Sequence, residues 1–212
     1  TTIRLAPAAL LLDVAEFRRL LGEVEAHRHR SLSTCQPCMA RLAQAAALYR
    51  GELLAGFSLP DAAAFEEWQI VQRQALHYQA MNALQALAEA HAQRGEHSAA
   101  HAAAMRVLAI EPWLESAHRI AMRSLAFSGQ RSEALAHFDL CRRVLEEELG
   151  VEPSDETRAL YWQIAAGELH DAAAQRASQA TLHGVPSQFT RFVGRRHEMR
   201  QIVDALADPE RR

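Results

Sequence analysis

Two stretches of this chain repeat at an offset of 34 residues. Ala83 recurs as Ala117, Gly95 as Gly129, Ser98 as Ser132 and Ala100 as Ala134. A period of 34 is that of tetratricopeptide (TPR) helical hairpins. Each such hairpin keeps one apolar face open until a neighbour stacks on it, so the period implies an array with a concave surface. It therefore speaks for binding and scaffolding before catalysis.

The punctuation fits the period. Leu84 and Leu87 take large positions on a first helix, and Ala88 takes the small position where helices approach closely. Gly95 ends that helix, because a chain leaving a helix through the left-handed region does so cheaply only at glycine. Ala100, Val107 and Leu108 follow on the second helix, with Pro112 as its stop. The second copy places Ala134, Phe138, Cys141 and Leu145 on one stripe at spacings of three and four. It has Glu146 where the first has Pro112, so its second helix should run to Leu149 and end at Gly150 and Pro153. The plainer alternative is two unrelated amphipathic hairpins.

Composition narrows the class. Apolar residues make up 49% of the 212, enough for a real core. Ala occurs 42 times, which favours closely packed helices. No alternating run rich in Val, Ile and Thr reads as a strand. No 18-residue apolar run or signal peptide is legible, so no membrane partner and a cytoplasmic location are expected. The net charge of −3 gives no strong nucleic-acid footprint. All 23 Lys and Arg residues are Arg, which excludes a P-loop, Schiff-base or kinase lysine within this sequence.

These signals predict an all-α fold: a TPR-like helical-hairpin array, a right-handed superhelix of about seven helices. Residues 1–12 read as a lead-in from a missing upstream domain. Asp13 with Glu16 reads as a capping box opening a helix to about Ala26. Further helices are expected from Pro37 to Arg50, from a cap at Asp61 to Arg94, and at about 97–110, 114–128 and 131–149. Ser154 should cap a last one. Trp68, Val71, Ala75, Tyr78 and Leu84 or Asn82 set the helical spacing of the long helix. Residues 170–188, rich in Ala, Gln and Ser, read as a linker.

One constellation has the residue types for chemistry. His27, His29, Cys35 and Cys38 offer two imidazoles and a Cys-x-x-Cys pair, a zinc-ligand set that would pin the loop between two helices. The plainer reading is a polar loop with two half-buried thiols at a helix start. A redox reading of CQPC needs a βαβ context that the sequence lacks. Other candidates read as structural. His97 and His101 look solvated, and His118 looks like a packing position. Trp68, Trp113 and Trp162 look like core or hairpin-junction anchors, and Cys141 like an inert buried thiol. Glu146, Glu147 and Glu148 form a charged face, and Arg191, Arg195, Arg196 and Arg200 an exposed helix start.

The run LYRGELLAGF, the Trp68 helix, and AHRIAMRSLAFSGQRSEALAHFDLCRRVLEEELGVEPSDETRALYWQI resemble the bacterial transcriptional activator domain. This is the TPR-like module of the antibiotic regulatory protein family of transcription factors, and the resemblance covers about residues 10–168. It implies a winged-helix DNA-binding domain upstream, so DNA would be a partner only through that domain. FVGRRHEM, within 189–212, resembles the opening of a STAND-type signalling ATPase domain cut before its Walker A loop. ATP binding would then belong to the full-length protein. The expectation is a non-catalytic regulatory and protein-interaction module, 13–169, coupling a DNA-binding domain to an ATPase domain. Its partners would be neighbouring domains of the same chain or a second copy in a homo-oligomer. The alternatives are a stand-alone TPR peptide-binding adaptor and, more distantly, a small zinc or redox module at His27, His29, Cys35 and Cys38.

Overall fold

The structure, a computed structural model, describes residues 12–169. The linker expected at 170–188, the segment 189–212 with its four arginines, and residues 1–11 of the lead-in lie outside them. The chain divides into two units, Thr1–Gln175 and Arg176–Arg212, and every described residue belongs to the first. Among the described residues there are seven α-helices and no strand. They are α1 (Asp13–Ala26), α2 (Gln36–Leu48), α3 (Ala63–Gln93), α4 (His97–Leu108), α5 (Glu115–Phe127), α6 (Arg131–Leu149) and α7 (Asp155–Ala166). None of these helices is long and apolar enough to cross a membrane.

The helices pair in sequence order as α1/α2, α3/α4 and α5/α6, and each pair packs on the next. The 34-residue period shows most clearly at the hairpin bends. Gly95 (φ +74°) and Gly129 (φ +79°) lie in the left-handed region. At each, the glycine N–H bonds three residues back, to Ala92 or Ala126. The following N–H reaches five residues back, Glu96 to His91 at 3.0 Å and Gln130 to Leu125 at 2.9 Å. The two bends are the same glycine-closed motif, satisfying the last carbonyls of α3 and α5.

The core follows the small-and-large pattern. Leu84, Leu87, Ala88, Ala100, Val107, Leu108, Ala117, Ala134, Cys141 and Leu145 are all buried. The α6 stripe differs in one member: His137 is buried where Phe138 was expected, and Phe138 is half-buried on its edge. α6 runs on to Leu149 and closes at Gly150, as the missing stop proline implies. Ser154 caps α7 by accepting from the Thr157 N–H.

Some local expectations are corrected. The Asp13–Glu16 capping box does not form: Leu12 is the N-cap, and Asp13 accepts only from the Val14 N–H. Asp61 does not cap α3. It sits at φ +62° ahead of the helix, and Ala62 occupies the cap.

The first half of α3 turns a different face to the core from the one its Trp68–Tyr78 spacing suggests, while Leu84, Leu87 and Ala88 in its second half are buried as expected. Trp68, Val71 and Tyr78 are 49%, 58% and 68% exposed. Gln69, Leu76, Ala80, Met81, Ala83, Leu84 and Leu87 take the core side. Two apolar stripes compete on this helix, and the one with small residues wins, because alanines let α2 and α4 approach closely. Trp113 and Trp162 are exposed as well. His97 and His101 are half-buried instead of solvated, and His97 stacks on Phe127 with ring centres 5.0 Å apart.

Candidate metal centre and regulatory surfaces

The four predicted metal ligands come together where α1 hands over to α2. His27 is the C-cap of α1 and leaves it with an extended backbone. A single 3-10 turn at Leu32–Thr34 brings the chain round. Cys35 is the N-cap of α2, Pro37 sits in its first turn with its ring-fixed φ, and Cys38 lies three residues on from Cys35. That spacing sets both sulfurs on one side of the helix start.

His27 Nδ1 is 3.1 Å from Cys38 Sγ and 3.4 Å from Cys35 Sγ. His29 Nδ1 is 3.8 Å from Cys38 Sγ. All four candidate ligand atoms lie within 4.8 Å of one another. The cysteines are buried and free of disulfides, while the imidazoles form the outer wall. Burial and the neighbouring Cys35 push the Cys38 thiol up from its ordinary value. The surroundings are all-helical, so the βαβ frame of a thioredoxin-type motif is not formed here. Beside the cluster, Arg41 of α2 donates to Glu23 of α1 at 2.6 Å, a second tie between the same two helices.

A second polar centre, unforeseen apart from His118 as a packing position, lies inside the α5/α6 hairpin. His118 donates from Nε2 to the Pro112 carbonyl at 2.8 Å, which leaves its Nδ1 as an acceptor. His137 Nε2, 3.0 Å away, must then be the donor to it. Burial drives His137 down to about 4, helped by His118 and His101. Burial also lowers His118, against the pull of the Pro112 hydrogen bond. Next to them Glu115, in the first turn of α5, accepts from the Ser154 N–H at 2.9 Å, from Ser154 Oγ at 2.7 Å and from Thr157 Oγ1. Burial alone would raise this carboxyl, but the hydrogen bonds from Thr157 and Ser154 hold it below its ordinary value. Glu115 thereby clasps the start of α7 to α5. Cys141 is pushed up to about 12, by burial first and then by Glu115, as an inert thiol should be. The 34-residue offset carried the missed signal: His118 and His137 stand where the first repeat has Leu84 and Ala103.

The third feature is a platform built from the loop 51–62 and the first half of α3. Leu54 lies at φ +51°. Its carbonyl accepts from Gln69 Nε2 at 3.3 Å and from Arg73 at 2.7 Å, and Arg73 also reaches the Leu53 carbonyl at 2.7 Å. Gln69, buried and polar, holds the Phe57 carbonyl too, at 3.1 Å. These bonds fix the loop so that Phe57 meets Phe65 edge-on at 5.9 Å, and Phe65 meets Trp68 at 5.6 Å. Trp68, Val71 and Tyr78 continue the apolar surface along α3. Beside it, a cavity of about 400 Å³ is lined by Asp13, Val14 and Phe17 of α1, residues 48–55 and Leu76.

Residues 12–165 match the bacterial transcriptional activator domain family. The chain is 31% identical over 205 residues to regulatory protein AfsR of Streptomyces coelicolor, covering 92% of this chain and 19% of AfsR. It thus spans about a fifth of the length of that curated relative. Among solved structures, EmbR of Mycobacterium tuberculosis, in complex with a low-affinity phosphopeptide, is similar with a TM-score of 0.54 and 22% identity. That likeness covers 81% of this chain and 43% of EmbR, and it speaks for the fold alone. Three paired hairpins, a clasped closing helix and a family match over most of the chain agree, and the chain belongs to the bacterial transcriptional activator domain family, a module of transcription regulators.

Proposed function

We propose that this chain is the non-catalytic coupling module of a longer cytoplasmic regulator, linking a DNA-binding domain on its N-terminal side to a signalling ATPase domain on its C-terminal side. The observation that carries this reading is the similarity to AfsR, which runs beyond the residues matched by the family yet takes in only 19% of AfsR. The FVGRRHEM resemblance in 189–212 supports the ATPase side. ATP would bind there and not within 12–169.

The apolar platform is the surface through which this module packs on the preceding domain. The first turn of α1 lines the same cavity as residues 48–55, so the chain enters the module beside the platform. Exposed aromatic and aliphatic side chains on a stitched, preorganised loop suit a protein contact, because little ordering entropy is lost when the partner arrives. A signal at the ATPase side would shift this packing between two arrangements and change how the DNA-binding domain is presented.

The test uses the full-length regulator. Val71→Asp with Tyr78→Asp should leave helix content and melting near those of the wild type. It should uncouple nucleotide-dependent activation of transcription from DNA binding. A full-length protein that binds neither DNA nor nucleotide would overturn the reading, and so would a variant that activates normally.

A further inference from the structure

We propose that His27, His29, Cys35 and Cys38 together hold one zinc ion in a closed tetrahedral site that ties the end of α1 to the start of α2. Zinc binds thiolate at about 2.3 Å and imidazole nitrogen at about 2.0–2.1 Å, so the ligand–ligand edges of a tetrahedron come to roughly 3.3–3.8 Å. The nitrogen–sulfur separations in the structure are 3.1, 3.4 and 3.8 Å, and the four atoms share one small volume. An ion entering their midst needs only small rotations of side chains, two of which, the imidazoles, stand at the surface.

The donor set selects the metal. Two sulfurs and two imidazoles suit a borderline-soft ion, while magnesium and calcium demand oxygen. A four-thiolate iron–sulfur cluster would need two more cysteines than are within reach, and a Rieske cluster sets its cysteines and histidines on two separate irons, whereas these four atoms lie within 4.8 Å of one another, close enough for a single ion. Four protein ligands also leave no open coordination position, so the ion would be structural and not a generator of hydroxide.

The fold gives the ion a task. The connection from His27 to Cys35 is mostly polar, with Leu32 its one aliphatic side chain besides the cysteine, half-buried against the α1–α2–α3 core. Zinc would replace the apolar anchoring that this connection lacks, and the unpaired N–H groups at the start of α2 favour the negative charge on its ligands. The proposal is independent of the transcriptional reading, since a closed structural site serves any partner of this array.

The test starts with the full chain purified under reducing conditions without chelator, its metal measured by elemental mass spectrometry. About one zinc per chain is expected. Cobalt chloride added to the stripped protein should give the intense ligand-field bands of a tetrahedral site together with thiolate-to-cobalt charge transfer. Cys35→Ser with Cys38→Ser should bring zinc to background. Because that pair is buried, His29→Gln on the exposed side is the second variant: it should weaken zinc retention against a chelator while the helix content stays unchanged. Stripping zinc should speed proteolysis within residues 27–35. Metal-free protein that neither takes up added zinc nor shows cobalt bands would overturn the proposal. So would equal zinc in wild type and the double serine variant, or a Cys35–Cys38 disulfide whose reduction restores no metal uptake.

Discussion

The α3/α4 and α5/α6 hairpins share a frame and differ in what fills it. Both bend at a left-handed glycine with the same pair of hydrogen bonds, and both carry buried alanines at equivalent places, Ala83 and Ala117, Ala100 and Ala134. At the next equivalent positions the first hairpin has Leu84, Ala103 and Val107, and the second has His118, His137 and Cys141. At these buried positions the first hairpin relies on shape and apolar burial, which are insensitive to pH, and its ion pairs His77–Glu111 and His91–Glu96 lie nearer the surface. The second is held by directional bonds among titratable groups, and these fix one arrangement of α5, α6 and α7. A repeat can therefore conserve its geometry while replacing dispersion by hydrogen bonding at the His118–His137 pair, even though Ser124, at the equivalent of Ala90, keeps a buried hydroxyl without a partner among the described residues.

The largest effect should come from the apolar hairpin. Leu84 is fully buried, and Leu84→Ala should cost about 2–5 kcal/mol through lost contacts and a residual cavity. Urea unfolding should give the same loss at pH 5 and pH 7.5. A loss that grows in acid would break the contrast between the hairpins.

The second hairpin should respond to acid. His118 and His137 are lowered in the folded state, and His137 titrates at about 4 against an ordinary 6.5. The unfolded chain then binds more protons between those values, so stability is complete above about pH 6.5 and falls as pH drops toward 4. The loss should reach up to about 3 kcal/mol. A proton on His118 Nδ1 would also set two donors face to face and break the pair. Replacing the pair by the first repeat's residues, His118→Leu with His137→Ala, should flatten this slope; an unchanged slope would locate the titration elsewhere.

The α7 clasp should give a smaller effect. Glu115→Gln weakens the charge-assisted bonds from Ser154 and Thr157, a cost of about 1–3 kcal/mol near neutral pH. Because the Glu115 carboxyl is lowered, its contribution is present above the unfolded value near 4.5 and vanishes as pH falls through the folded one. Unfolding of wild type and variant should therefore converge at low pH. The smallest change should be at the platform, where Val71→Asp alters thermal stability by about 0.5 kcal/mol or less, since the side chain is largely exposed. A larger loss there would mean that this face is packed.

Much of the architecture was legible. The helix order, the two repeat glycines, the over-run of α6 and the Ser154 cap all follow from short-range punctuation, and the structure agrees. The side that the first half of α3 turns to the core was not. Trp68, Val71 and Tyr78 have helical spacing, but so do Leu76, Ala80, Ala83 and Leu87, and spacing ranks no stripe above another. Nor did the capping residues at Asp13 and Asp61 behave as their types suggest, because the chain enters each helix one residue away from the expected register.

Residue order and type were sufficient for the repeat and the helical class, and they singled out the four candidate metal ligands within a stretch of 12 residues. Folding in three dimensions chose which apolar stripe of α3 faces water, paired His118 with His137 across 19 residues, and closed Glu115 onto Ser154 across 39. Those outcomes depend on which surfaces compete for the same space, and on whether a buried polar atom finds a partner from another helix.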